Sequence, residues 1–364
     1  MLNFWQNKKV LVTGHTGFKG SWLSLWLQLL GAEVIGFSLN PPTTPNLFAL
    51  ANVEDGMTSI IGDIRDFSLI KNVINEYQPE IVIHMAAQAL VRHSYIDPIE
   101  TYSTNVMGSV HLFEAIRQND CVKAVVNVTT DKCYENKEWL WGYRENDTLG
   151  GHDPYSNSKA CSELVTAAYR DSFFKINNIG LASARAGNVI GGGDWAADRL
   201  IPDIINACIK DDDVIIRNPN ALRPWQHVLE PLNAYLLLAQ RLYESPLDFA
   251  EGWNFGPSEA DAKPVSWIAD TIVKFWNNGK TNLVLNKNPQ PHEATNLKLD
   301  CSKAKSLLAW QPRWNLEAGL AQTVSWYKAY QASENMRDVT IAQIKNFISN
   351  PTKSQNKCKE SIPQ

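Results

Sequence analysis

Near its amino terminus the chain reads Lys8-Lys9-Val10-Leu11-Val12-Thr13-Gly14-His15-Thr16-Gly17-Phe18-Lys19-Gly20. The apolar run predicts a short buried strand, and the glycines predict a turn at its end. Ser21-Trp22-Leu23-Ser24-Leu25-Trp26-Leu27-Gln28-Leu29-Leu30 follows as an apolar helix that stops at Gly31. Strand, glycine turn and helix form the context that a dinucleotide-binding fingerprint requires. Glycine is needed where φ is positive and where backbone must approach a pyrophosphate. N–H groups at the helix start then receive the phosphates. Without that context, the same spacing describes any tight strand-to-helix turn.

Strands continue to alternate with helices up to about Gly180, which predicts a doubly wound parallel α/β sheet of the Rossmann type. After Asn188 the pattern loosens: Gly191-Gly192-Gly193, Pro202, Pro219, Pro224 and Pro231 punctuate short segments. We expect residues 1–187 to form a dinucleotide-binding domain that includes the Tyr155 helix. Residues 188–350 are expected to form a smaller mixed α/β substrate domain interleaved with the first, and 351–364 a mobile polar tail.

Composition excludes several classes. A formal net charge of −4 gives no basic footprint for nucleic acid. No apolar run is long enough to span a bilayer, and no secretory signal opens the chain. The six cysteines show neither metal-ligand spacing nor a disulfide framework, so reduced thiols in the cytoplasm and no metal are expected.

The chemistry is concentrated in two segments, Thr130-Asp131-Lys132 and Tyr155-Ser156-Asn157-Ser158-Lys159. On a helix, Tyr155 and Lys159 are neighbours four residues apart. An ammonium beside a phenol favours phenolate, which predicts a general base with a lowered pKa. Asp131 and Lys132 add an acid and an amine that simple alcohol oxidation does not need. The plain alternatives are a surface Tyr/Lys pair and an exposed Asp-Lys loop.

With its glycines at 14, 17 and 20, the frame resembles the extended short-chain dehydrogenase/reductase family from about Val10 to about Tyr330. The resemblance implies NAD as cofactor. Its contacts would be Gly14, Thr16, Gly17, Phe18, Lys19, Gly20 and Ser38, then Asp63 and Ile64 by the adenine. Ala86, Ala87 and Gln88 would follow beneath the ribose, with Asn105, Tyr155 and Lys159 completing the set. It also implies a catalytic triad of Thr130, Tyr155 and Lys159, and substrate-binding residues Asn188, Arg199, Leu200, Arg217, Arg223 and His292. Arginine at such positions suits a pyrophosphate.

In sugar-nucleotide 4,6-dehydratases of this family the tripeptide reads Thr-Asp-Glu. Thr130-Asp131-Lys132 is similar instead to the branch acting on CDP-glucose, and so implies CDP-glucose as substrate in deoxysugar biosynthesis of the lipopolysaccharide O-antigen type. Asp131 would be the acid if burial keeps it protonated, and Lys132 the base if neutral, with the two roles open to exchange. One departure concerns the ribose: NAD-specific relatives end the second strand with a carboxylate, whereas here Ser38 or Asn40 stands there. No arginine follows to favour NADP, so weaker NAD binding is expected. Epimerase activity, another nucleotide sugar, and a non-catalytic NAD(P)-sensing role are the competing readings. The family's pairing through two helices implies a homodimer or a tetramer. Leu112, Phe113, Ile116, Leu164, Val165 and Ala168 fit such a face or the sheet equally well.

Overall fold

The computed structural model describes residues 3–277, 283–285 and 296–349; His292 and the 351–364 tail lie outside them. Strands β1 (Lys9–Thr13), β2 (Glu33–Ser38), β3 (Thr58–Ile61), β4 (Ile81–His84), β5 (Ala124–Val128) and β6 (Gly180–Ala186) share one sheet with Gly252–Phe255. The spatial order is Gly252–Phe255, β6, β5, β4, β1, β2, β3, and every pairing is parallel. The order reverses between β1 and β4, the crevice where ligands bind in such sheets.

The strands are apolar on both faces because both faces are covered. Val10, Val12, Ile81, Ile83 and Val126 point into one core, shared with Trp22, Leu25 and Trp26 of helix α1 (Phe18–Leu29). Leu11, Val82 and Val125 point into the other, with Ile70 and Ile74 of the helix Phe67–Tyr77. Alternation along each strand thus fills two layers, as a parallel sheet requires. Helix α1 begins at Phe18, three residues before the first residue expected, and the chain leaves it through Gly31 at φ 78°. Leu112, Phe113 and Ile116 pack into the second core, whereas Leu164 faces outward.

The later segments return to the sheet before leaving it again. Helix Leu229–Glu244 packs against β5 and β6, ahead of the strand Gly252–Phe255. Among the described residues three two-stranded pairs lie outside the main sheet, one of them Val214–Ile216 with Leu283–Leu285. Helix Val265–Asn277 packs on helices Leu200–Lys210 and Leu316–Gln331. None of the helices described is long and apolar enough to cross a membrane. Among the described residues no cluster of metal ligands occurs, and the five described cysteines are free thiols.

Buried histidines tie the sheet ends. The Thr13 hydroxyl accepts from Met85 N at 3.0 Å and Ala86 N at 3.1 Å, and its proton goes to His84 Nδ1 at 2.7 Å. The other ring nitrogen of His84 then donates to Ser109 Oγ at 3.2 Å. Burial first, with the Lys159 charge second, lowers the His84 pKa to about 3. The unfolded chain takes up that proton near pH 6.5. His84 therefore contributes stability that is complete above pH 6.5 and is lost as pH falls towards 3. Comparing chemical denaturation of wild type and His84→Asn between pH 6 and 4 should show a slope smaller by about one proton in the variant, or roughly 1.4 kcal/mol per pH unit. Equal slopes would mean that His84 is not held neutral.

Candidate active site

The carboxyl ends of β1, β4 and β5 open into one cavity of about 1520 Å³. Its floor is the glycine turn. Gly14 has φ 78°, and a Cβ there would lie 2.9 Å from Ala86 N. At Gly20 a Cβ would lie 2.0 Å from Gly14 O. At Gly17 the nearest atom is Gly14 O at 3.4 Å, so a methyl group there would meet only ordinary van der Waals contact. No side chain caps α1 at Gly17, which leaves its first-turn amides for an anion. The turn fits a dinucleotide pyrophosphate. Ser38 bonds Thr16 through their hydroxyls at 2.9 Å, and Thr16 also donates to Leu39 O. Asp63 is held by the Arg65 guanidinium, which lowers its pKa, while Ile64 is buried beside it.

The reacting groups come from β5 and the next helix. Thr130 follows β5, and Asp131–Cys133 forms a short 3-10 turn. Tyr155 and Lys159 lie on the helix Pro154–Tyr169, whose first turn is fixed by proline and by Asp153 accepting from Ser156 N at 2.9 Å. Thr130, Asp131, Lys132 and Tyr155 line the cavity together. Lys159 does not: its ammonium is buried and donates to Val128 O at 3.1 Å. Desolvation lowers the Lys159 pKa to about 8. The expected lowering of the phenol by Lys159 is absent. Burial raises Tyr155 to about 12, against the pull of the Thr130 hydroxyl. In a site this dry, loss of water outweighs a cation aimed at the strand rather than at the phenol.

Asp131 is 1% exposed. One of its oxygens accepts from the Thr130 hydroxyl at 3.0 Å, and the other has no partner. Burial raises its pKa, against the charge of Lys132. Lys19 lines the same cavity. Burial, then the charges of Lys159 and Arg199, bring it down to about 7, with Asp131 opposing.

Asn105, expected among the cofactor contacts, is buried away from the cavity. It sits in a π-turn, Ser103–Met107, inside an otherwise α-helical stretch. Its side chain accepts from Gln88 N at 2.9 Å and donates to Gln88 O at 3.0 Å and Ser158 Oγ at 2.9 Å. Ser158 in turn donates to Tyr155 O at 2.7 Å. Asn105 therefore clamps the loop after β4 to the Tyr155 helix.

Gly14, Thr16, Phe18, Ala86, Ala87, Gln88, Asn188, Arg199, Leu200, Arg217 and Arg223 all reach the cavity wall. Arg199 pairs with Asp194 at 2.8 Å, and Arg217 with Asp198 and Asp203 at 3.1 Å each. Arg92, from the loop side, also meets Asp198 at 3.1 Å. Sequence reading missed these acids: Asp198 and Asp203 meet Arg217 from 19 and 14 residues away, and Asp194 meets Arg199 five residues on across an irregular loop, so no periodic spacing marks the partners. Trp225 is buried yet reaches the cavity wall.

The glycines give a direct test. Gly17→Ala should change unfolding free energy by less than about 1 kcal/mol, while Gly20→Ala should cost about 3 kcal/mol or more, since its Cβ meets backbone. Calorimetric titration should show at least tenfold weaker NAD binding by folded Gly17→Ala. Unchanged NAD affinity would place the pyrophosphate elsewhere.

Residues 11–323 match the family model described as GDP-mannose 4,6 dehydratase. A CDP-glucose 4,6-dehydratase of Salmonella typhimurium is 57% identical, covering 96% of this chain and 99% of its own. Among solved structures, UDP-glucose 4-epimerase of Thermotoga maritima superposes with a TM-score of 0.77 at 22% identity, over 88% of this chain and 99% of its own. The NAD complex of a Bacillus anthracis dTDP-glucose 4,6-dehydratase gives 0.74 at 22% identity, over 91% and 99%. At those identities the two structures speak for the fold. The family model and the Salmonella relative, each spanning most of the chain, go further: the chain belongs to the GDP-mannose 4,6 dehydratase family.

Proposed function

We propose that this chain is an NAD-dependent CDP-glucose 4,6-dehydratase, a hydro-lyase that releases CDP-4-keto-6-deoxyglucose and water. The observation that carries dehydration over epimerisation is Asp131, a buried carboxyl with a raised pKa and a free oxygen beside Thr130 and Tyr155. The cytidine-linked sugar rests on the Salmonella relative. Residues 1–187 hold the cofactor in this reading and 188–350 the nucleotide sugar.

Thr130 donates to the reacting oxygen at C4, and Tyr155 takes that hydroxyl's proton. A bound NAD would supply the hydride acceptor for C4 and the donor for C6, and its ring charge would favour the anionic phenol of Tyr155. The resulting ketone acidifies C5–H, which Lys132 removes in its neutral form. Asp131 protonates the departing C6 hydroxyl, so water leaves; as hydride arrives at C6, Lys132 gives its proton back to C5, and the proton that Tyr155 took from the C4 hydroxyl recharges Asp131 through solvent. Lys159 acts through the strand end it bonds, and Asn105 orders the Tyr155 helix. Arg199 and Arg223 meet the diphosphate, with Asn188 beside them.

The test is to supply CDP-glucose deuterated at C4 and find the deuterium at C6 of the product. A C4 epimer without water loss would make the chain an epimerase, and bound NAD with no turnover would leave a sensing role. Tyr155→Phe should abolish both oxidation and dehydration. Asp131→Asn should lower product formation by about 10²–10⁴-fold, yet still allow reduced cofactor to build up, read by its absorbance. Parallel loss of both signals would deny Asp131 its role as acid. Since Ser38 replaces a carboxylate, purified protein should also need added NAD for full activity.

The same reading makes the enzyme a cytoplasmic homodimer, or a tetramer built from it, acting in deoxysugar biosynthesis for lipopolysaccharide. Ile99 and Met107, 82% and 47% exposed, line a shallow apolar hollow with Pro98, Val106 and Cys161, and Leu164, 60% exposed, lies three residues past Cys161 on its helix. Covering that face with a second copy would remove it from water. Sedimentation should show the double variant Met107→Glu, Leu164→Glu as a monomer; an unchanged assembly would put the interface elsewhere.

A further inference from the structure

The reaction gives Asp203, an acid on the cavity wall, no task. Asp203 lies one turn into the helix Leu200–Lys210 and lines the cavity. One of its oxygens accepts from Arg217 at 3.1 Å. The other makes no hydrogen bond among the described residues, and the side chain is 42% exposed. Other cavity carboxylates are engaged: Asp63 with Arg65, Asp194 with Arg199, Asp198 with Arg92 and Arg217, Glu100 with His93, Glu135 with Lys137, Glu138 with Asn296 N, and Asp153 at its helix cap.

The elements that carry the lining residues order the ends of the cavity. Thr130, Asp131 and Tyr155 mark the reacting end, at the main sheet. Asp203 and Arg217, joined at 3.1 Å, stand on the helix Leu200–Lys210 and just past the strand Val214–Ile216, which is outside that sheet. A chain of sugar, diphosphate and nucleoside laid from Tyr155 past Arg199 and Arg223 therefore brings its base to Asp203 and Arg217. The wall there also offers a surface for a ring. Ile215 is 60% exposed although apolar, while Val214 and Ile216 are buried. Alternation puts Ile215 and Arg217 on the same side of that strand.

Resting on the nucleotide-sugar reading above, we propose that Asp203 and Arg217 select the base. The free Asp203 oxygen accepts from the 4-amino group of cytosine, Arg217 donates to the adjacent ring acceptors, and Ile215 covers the ring face. A carboxylate accepting from that amino group is how proteins distinguish cytosine at its polar edge. Uracil and thymine present a carbonyl oxygen in the same place. Two acceptors then face each other, and the mismatch rejects the wrong base more strongly than a missing contact would.

The experiment compares kcat/KM for CDP-glucose and UDP-glucose, with NAD, in wild type and Asp203→Asn. An asparagine amide can donate to the uracil carbonyl. The wild-type preference for cytidine should fall by roughly 10- to 100-fold in the variant, through KM rather than kcat. A ratio unchanged within about twofold, or equal loss on both substrates, overturns the proposal. Calorimetric binding of CMP and UMP to both proteins gives a readout independent of turnover: the wild type should favour CMP, and Asp203→Asn should lose that preference. Retained preference in a variant that still binds NAD overturns the proposal. If the wild type makes no keto sugar from CDP-glucose, the dehydratase reading fails, and the nucleotide titrations still decide the base.

Discussion

The site depends on how closely two chain segments meet where the strand order reverses. Thr13 ends β1, and its hydroxyl holds the amides of Met85 and Ala86 that follow β4, as well as His84. Gly14 then passes within the space that a methyl group would need. This contact brings the glycine turn and the loop of Ala86, Ala87 and Gln88 to opposite sides of one crevice. From Gln88 the order runs on through Asn105 and Ser158 to the backbone of Tyr155. A hydrogen-bonded path thus connects the first strand to the proposed general base.

Burial sets the electrostatics of that crevice more than pairing does. It raises Tyr155 and Asp131 and lowers Lys19 and Lys159, so all four are biased towards their neutral forms. Such a bias suits proton transfers that must go in both directions within a single turnover. The counterexample lies next door. Glu163 and Arg185 are equally buried but meet at 2.8 Å, and Ser183 and Thr129 also donate to the carboxylate. Glu163 is accordingly lowered and Arg185 raised, which makes the pair a fixed support rather than a proton carrier.

The fold was legible because its signals are local. Val10 to Gly20 carries strand, turn and helix within a few residues, and each further strand brings its own apolar run. The residues around the cofactor cleft and Thr130, Asp131, Lys132 and Tyr155 could be read the same way, since each sits at a strand end or on the next helix. The fine electrostatics could not. Whether Lys159 points at a phenol or at Val128 O depends on packing, and the size of the desolvation term depends on depth, which spacing does not encode. The acids that hold Arg199 and Arg217 were hidden for a related reason. Asp194, Asp198 and Asp203 become partners only once the loop after β6 and the helix Leu200–Lys210 fold over the sheet ends.

The π-turn at Ser103–Met107 gives its helix two phases. A single surplus residue there offsets everything downstream by roughly 100° relative to an unbroken α-helix. Upstream, Thr101 faces Gln88 and takes its side-chain amide at 2.9 Å; downstream, Ser109 faces His84 and Ser162. With the surplus residue between Thr101 and Ser109, Asn105 reaches both Gln88 and Ser158. The irregularity is therefore a phase joint, and a natural variant of this chain that lost one residue here would gain a smoother helix at the expense of the link between cofactor loop and Tyr155.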